Sequence, residues 1–172
     1  IAAYSGHGSP TGWAGPSFSS GSINSLTNLD KFPFVQSYAC LTGQFTYSTC
    51  FMEAWLRADG KGAVASMGSS VTSYWYEDDV LQRRLFDCLF DSSLTWLMGQ
   101  INGGKMGLYY HYGNTNMVMR YFEMYNLMGD PALDLFTAAP ETVFASYPEA
   151  IPAGPVDFVV VVSGDSGPVE DA

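Results

Sequence analysis

Two short apolar runs, each leading into a residue able to do chemistry, constrain this chain more than any other feature. Ile1-Ala2-Ala3-Tyr4 has no helical period and delivers Gly6-His7-Gly8-Ser9. Phe32 to Ala39, rich in aromatic and β-branched residues, delivers Cys40. Both read as buried strands. Between them, Ser20 to Leu29 offers Ser and Asn caps and apolar residues at Ile23, Leu26 and Leu29, a spacing that suits a short helix. Strand, crossover helix and strand make a right-handed parallel unit. Ligands of an open α/β sheet bind beyond the carboxyl ends of its strands, so His7 and Cys40 are expected at one sheet edge.

A thiol beside an imidazole is a nucleophile with its base. The glycines flanking His7 permit a turn that leaves backbone N–H groups free to hold a developing oxyanion, and Gly8 is the candidate donor. The competing reading is packing, because a buried Cys that ends a strand is usually inert.

Three ordered segments widen the argument: Gly6-His7-Gly8-Ser9, Ser37-Tyr38-Ala39-Cys40-Leu41-Thr42-Gly43-Gln44-Phe45, and Gly68-Ser69-Ser70-Val71-Thr72-Ser73-Tyr74-Trp75. With Cys50-Phe51-Met52-Glu53, Gly62-Ala63-Val64-Ala65 and Leu127-Met128-Gly129-Asp130-Pro131-Ala132, they resemble the gingipain family of cysteine peptidases over roughly the first four-fifths of the chain. The resemblance implies an α/β fold, a caspase-like three-layer sandwich with a mainly parallel sheet. It implies that His7 and Cys40 form the catalytic dyad, and that the segment after the third strand lines the pocket for the residue before the cleaved bond. Ser69, Ser70, Tyr74 and Trp75 are therefore the substrate-binding candidates, against an aromatic lid packed on neighbouring helices.

The resemblance further implies secretion or display on a bacterial cell surface and an immunoglobulin-like domain after the catalytic one. No cofactor is required; a structural calcium is allowed, although no ligand motif for it is present. In the family, earlier strands precede the His-Gly motif and carry the acidic residue that steadies the histidine and the base of the specificity pocket. The chain is accordingly expected to be the C-terminal portion of a catalytic domain, residues 1–138, partnered by the N-terminal part of that domain. Residues 139–172 are expected to form a linker and the first strands of a β-rich module, since Pro140, Pro148, Pro152 and Pro155 precede the β run Val156 to Val162.

Composition narrows the classes. The chain has 172 residues, 47% of them hydrophobic, enough for a substantial core. Seventeen acidic against seven basic residues give a net charge of −10 and no basic cluster, which argues against nucleic acid as a partner and leaves a protein or peptide substrate. No apolar run is long enough for a membrane span, and the first residues lack the basic start of a signal peptide. Cys50 and Cys88 read as free buried thiols; pairing would require their Cα atoms to approach closely.

Along the rest of the chain, Ser9 to Pro16 reads as a Gly/Pro loop rimming the cleft, with Trp13 either covering the sheet edge or shielding the dyad. Cys50 to Ala58 has helical spacing, ended by Lys61-Gly62, and Gly62 to Gly68 is the next parallel strand. Glu77-Asp78-Asp79 reads as the acidic first turn of a helix over Val80–Phe90 rather than as a cation site. Ser92 to Gln100 continues helical, and Ile101 to Lys105 is a turn. His111 among tyrosines is a structural residue before a second base. Asn114 to Leu127 is a helix with Met117, Tyr121, Met124 and Leu127 on its core face, stopped by Gly129-Asp130-Pro131.

Gly164-Asp165-Ser166-Gly167 resembles the nucleophile motif of chymotrypsin-like serine peptidases, but the many helices exclude that double barrel, and a Gly/Asp/Ser turn explains the run. A phosphatase loop needs Arg six residues after its Cys, where Thr46 stands. A papain-like order places Cys before His. The reading is a cysteine endopeptidase acting through a covalent acyl-enzyme, with a related sortase-like transpeptidase and a non-catalytic binding module of the same fold as the alternatives.

Overall fold

The computed structural model describes residues 1–137, 142–151, 153–164 and 167–168. They fall into two compact units, Ile1–Leu135 and Phe136–Ala172. In order, the first holds β1 (Ala2–Ser5), β2 (Gly8–Ser9), β3 (Gly12–Ala14), β4 (Ser17–Ser19), α1 (Ser20–Asn24), β5 (Phe34–Tyr38), α2 (Phe51–Arg57) and β6 (Ala65–Ser69). It continues through α3 (Trp75–Phe86), a π-helical turn Asp87–Asp91, α4 (Leu97–Tyr112), α5 (Asn116–Met124) and β7 (Tyr125–Met128).

The central sheet has the order β1-β5-β6-β7, the first three strands parallel and β7 antiparallel at the edge. Every residue of β5 and β6 is buried. Their alternating side chains feed two cores, as the period of a strand requires. Phe34, Tyr38, Ala65 and Met67 join Leu81, Leu85, Leu97, Ile101, Leu108, Val118 and Tyr121 from α3, α4 and α5. On the opposite face Val35 joins Ile23, Phe51, Met52 and Trp55 from α1 and α2. Helices on both faces of a mostly parallel sheet make the three-layer α/β sandwich expected from the sequence.

Several local expectations give way to tertiary contacts. β1 is not buried throughout: Tyr4 is inside, Ala3 and Ser5 are exposed, and among the described residues its only ladder partner is β5. The helix expected to Leu29 stops at Asn24, because the side chain of Asn28 bonds the Lys31 and Gly62 carbonyls and accepts from the Gly62 N–H, diverting the chain from helix. Ser9 to Pro16 is not an open loop; β2, β3 and β4 form a small antiparallel sheet. Trp13 stacks on Tyr4 at 4.4 Å, meets Phe51 edge-on at 5.1 Å, and donates its indole N–H to Ser37 Oγ at 2.9 Å, so it covers the sheet.

The first helix after β6 begins at Trp75 rather than Val80, and Phe86 gives way to the π-helical turn through Asp91. The expected turn Ile101 to Lys105 lies inside α4, while Ser92 to Thr95 is non-helical. Glycine marks close packing here: a Cβ on Gly104 would overlap Leu85 Cδ1, one on Gly107 would overlap Arg84 Cγ, and one on Gly103 would overlap Cys88 Sγ. The helix expected to Leu127 ends at Met124, because Tyr125–Met128 pairs with the edge of β6, Ser69 opposite Tyr125 and Ser66 opposite Met128. No helix among the described residues is long and apolar enough to cross a membrane.

The second unit holds an antiparallel sheet β10-β9-β8, formed by β8 (Val143–Ser146), β9 (Val161–Gly164) and β10 (Gly167–Pro168). Only the end of the expected run Val156 to Val162 is strand. Asp165 and Ser166 of the Gly-Asp-Ser-Gly motif lie outside the described residues.

The glycine face of α4 yields a prediction. Gly104→Ala should cost about 1–3 kcal/mol by overpacking against Leu85 and Leu81. Gly21→Ala, whose Cβ would meet Ser19 Oγ at 3.5 Å in ordinary contact, should be neutral or stabilising. Urea unfolding of both variants checks this; equal midpoints would show that α3 and α4 do not need the glycine to approach.

Candidate active site

The pairing of β1 with β5 sets the site. Ser5 lies opposite Tyr38 in a parallel ladder, and the Gly6 N–H continues it to the Tyr38 carbonyl at 3.2 Å. His7 and Cys40 each follow this pair by two residues, so the register carries both past the carboxyl edge of the sheet. Gly8 shows how tightly the two segments approach: a Cβ there would lie 2.8 Å from the Cys40 carbonyl oxygen, from Ala39 Cβ and from Thr42 Cγ2. Only glycine fits.

The His7 backbone is fixed from two sides. Its carbonyl accepts from the Ala14 N–H at 2.9 Å and from the Tyr4 hydroxyl at 3.1 Å. In an antiparallel ribbon, hydrogen-bonded and non-hydrogen-bonded pairs alternate, so this bond makes Gly8 and Trp13 the non-bonded pair and turns the Gly8 N–H off the ribbon. The imidazole is exposed, and its ring centre lies 6.4 Å from that of Trp75.

Cys40 is half-buried, and the next residue, Leu41, takes φ 62°. Leu41 N–H bonds the Val71 carbonyl at 3.1 Å and Gly43 N–H the Ser69 carbonyl at 2.9 Å, tying the turn after Cys40 to the loop after β6. The thiol donates to the Ser73 carbonyl at 3.6 Å. Among the described residues no hydrogen bond joins it to His7.

The four pocket candidates are placed differently. Ser69 is buried, its hydroxyl donating to the Val71 carbonyl at 2.8 Å within its own turn, and Ser70 N–H bonds the Met124 carbonyl at 2.8 Å. Tyr74 turns its ring to Arg120, whose guanidinium lies 5.5 Å from the ring centre. Trp75 alone of the four stands against the histidine, and 63% of it is exposed. His111 ends α4 packed edge-on to Tyr112 at 4.4 Å, a cation-compatible place at a helix C-terminus. Cys50 and Cys88 are free; Cys50 is buried as expected but Cys88 only half-buried, and desolvation pushes both thiols up from their ordinary value. The described residues gather no group of three His, Cys, Asp or Glu side chains able to hold a metal ion.

Asp78 departs most from its reading as a solvated first-turn acid. It is 4% exposed and accepts from Ser73 Oγ at 2.7 Å, Tyr121 OH at 2.9 Å and Tyr125 OH at 2.5 Å. Burial, partly offset by those three hydroxyls, holds its carboxyl above the usual carboxylate range. The signal was present: Asp78, Leu81 and Leu85 share one helical face, the buried one. Because the folded value is raised, the native state holds a proton that the unfolded chain has released, so this group's contribution weakens as pH rises through the shifted value. In urea titrations from about pH 4 upward, wild type should lose stability relative to Asp78→Asn as pH rises. The opposite slope would mean that the ionised carboxylate is the better-bound form.

Comparison with known proteins identifies the family and the fold. Residues 1–136 match the sequence profile of peptidase family C25, a span that ends one residue past the first compact unit. Lys-gingipain of Porphyromonas gingivalis is 30% identical over 193 residues, covering 96% of this chain and 11% of that protein. Gingipain R2 of the same organism is 30% identical over 172 residues, covering 93% of this chain and 23% of that protein. The crystal structure of the Arg-specific cysteine proteinase gingipain R superposes with a TM-score of 0.80 at 29% identity, over 93% of this chain and 39% of that one. The sandwich is therefore the caspase-like fold of the gingipains, of which this chain spans a minor part, and the chain belongs to peptidase family C25.

Proposed function

We propose that this chain supplies the nucleophile and general base of a cysteine endopeptidase. One observation carries the reading: the Ser5–Tyr38 register brings His7 and Cys40 to one sheet edge, with a glycine where Gly8 passes the Cys40 carbonyl. His7 takes the thiol proton, and the thiolate sulfur bonds the substrate carbonyl carbon. The N–H groups of Gly8 and Cys40 receive the oxyanion; the first turns off its ribbon, and no backbone bond among the described residues uses the second. As the C–N bond breaks, the imidazolium returns its proton to the leaving amine, and water then hydrolyses the acyl-enzyme. No cofactor takes part.

Trp75 and the loop Ser70–Tyr74 form one wall of the substrate cleft, with Ser69 anchoring that loop from beneath. The substrate is a protein or peptide. The exposed Ala3 and Ser5 of β1, together with the 39% coverage of gingipain R, support a further part of the same catalytic domain packing on β1. The β-rich second unit suits the start of an immunoglobulin-like module. Secretion or surface display rests on the likeness to gingipains.

The test uses thiol chemistry. Cys40→Ala should abolish peptidase activity. At pH 7, His7→Ala should slow iodoacetamide labelling of Cys40 to the few per cent set by an unassisted thiol of pKa about 8.5, recovering at alkaline pH. Cys50 and Cys88, their thiols pushed up by burial, should label slowly in every variant. Full activity in Cys40→Ala, or equal labelling of all three thiols regardless of His7, would overturn the dyad. Trp75→Ala should change substrate preference on a peptide library while leaving the unfolding midpoint nearly unchanged, since the side chain is largely exposed. Parallel losses of stability and activity with unchanged preference would make Trp75 a packing residue.

A further inference from the structure

A carboxylate sits directly behind the nucleophile, and the dyad chemistry does not use it. Asp78 Oδ2 accepts the Ser73 hydroxyl at 2.7 Å, and Ser73 Oγ lies 4.0 Å from Cys40 Sγ, whose thiol donates to the Ser73 carbonyl. Asp78 Oδ1 accepts from Tyr121 and Tyr125. The Tyr121 oxygen also accepts the Tyr74 N–H at 2.9 Å and lies 2.8 Å from the Tyr74 carbonyl, which in turn accepts the Asp78 N–H at 2.9 Å. The Ser73-Tyr74 segment is thus held through both its side chain and its backbone by bonds converging on one carboxylate. It touches Cys40 at Ser73 and leads directly into Trp75, against His7.

A clamp alone does not call for a charge. Among the described residues no Lys, Arg or His forms an ion pair with Asp78, and an unpaired buried carboxylate is costly where a neutral amide could make similar bonds. Its placement has a consequence for the sulfur. The Ser73 hydroxyl has one proton; directed to Asp78, it locks the Ser73 side chain and with it the backbone carbonyl to which the Cys40 thiol donates, so the sulfur is kept in one place at the sheet edge.

We propose that Asp78 is a positioning residue for the nucleophile: acting through Ser73, it fixes the thiol's orientation at the sheet edge and leaves His7 as the group that charges it. This rests on the dyad reading and adds to it a residue from α3 and a serine from the preceding loop.

The experiment is iodoacetamide labelling of Cys40 at pH 7 in the full-length protein, followed by peptide mass spectrometry, with Cys50 and Cys88 as internal references. Ser73→Ala and Asp78→Asn should each slow Cys40 labelling by about tenfold, the rate equivalent of one hydrogen bond to a charged group. The double variant should be no slower than either single one, and Ser73→Thr, which keeps the hydroxyl, should restore most of the rate. Simple loosening of the fold moves the references the other way, since buried thiols then label faster. Faster labelling of Cys50 and Cys88 with an unchanged Cys40 rate in Ser73→Ala would overturn the proposal, as would independent, multiplying effects of the two substitutions. The His7→Ala control separates the two levels. If it leaves Cys40 labelling unchanged, the dyad fails and this inference with it; if it slows labelling while Ser73→Ala and Asp78→Asn do not, only the role of Asp78 is lost.

Discussion

The in-register parallel pairing of β1 with β5 is the constraint on which the rest of the site depends. A one-residue slip would flip every side chain of β1 to the opposite face of the sheet and displace His7 along the edge. The register is held at both ends of the turn. Tyr4, the buried residue of β1, sends its hydroxyl to the His7 carbonyl, and Trp13 stacks on its ring while donating to Ser37 of β5. The small sheet β2-β3-β4 thereby braces the histidine against the strand that carries the cysteine, and the absence of a side chain at Gly8 lets the two segments close.

The two cores have different tasks. The aromatic cluster of Trp13, Phe18, Phe51 and Trp55 holds the histidine's ribbon and α2 against one face of the sheet. The larger core on the other face holds α3, α4 and α5, and a buried lysine and a buried aspartate lie on these helices. Lys105 is almost buried and donates to the Phe122 carbonyl at 2.9 Å, where it satisfies the end of α5 while burial lowers its pKa. Asp78 is likewise buried with neutral partners alone, three hydroxyls, among the described residues. It lies beneath the loop carrying Ser73 and Trp75, and such burial is the kind of local expense that clusters at functional sites.

Much of this was legible in the sequence. The buried strand β5, the small-residue strand β6, the crossover order and the placement of His7 and Cys40 beyond strand ends follow from short runs without helical period, rich in aromatic, β-branched or small residues, and from the chirality of parallel connections, which are local or nearly local properties. Helix α2 followed from its spacing, whereas the close approach to the Cys40 carbonyl that restricts position 8 to glycine emerged only in the structure.

What only the tertiary structure decided is where a local pattern could be satisfied in more than one way. Tyr125 to Met128 continues a helical pattern but becomes a strand because β6 offers an open edge, whose ladder outweighs a weak helical preference. Gly103 and Gly104 resemble a turn in isolation but lie within α4, packed where their side chains would be by Cys88 of the π-helical turn and by Leu85 of α3 respectively. Asp78 looks like a helix-capping acid, and its burial required Tyr121 and Tyr125, more than forty positions away, to arrive beside it. Local propensities choose among a few backbone states within about 1 kcal/mol per residue, so long-range burial and hydrogen bonding decide wherever those states are close.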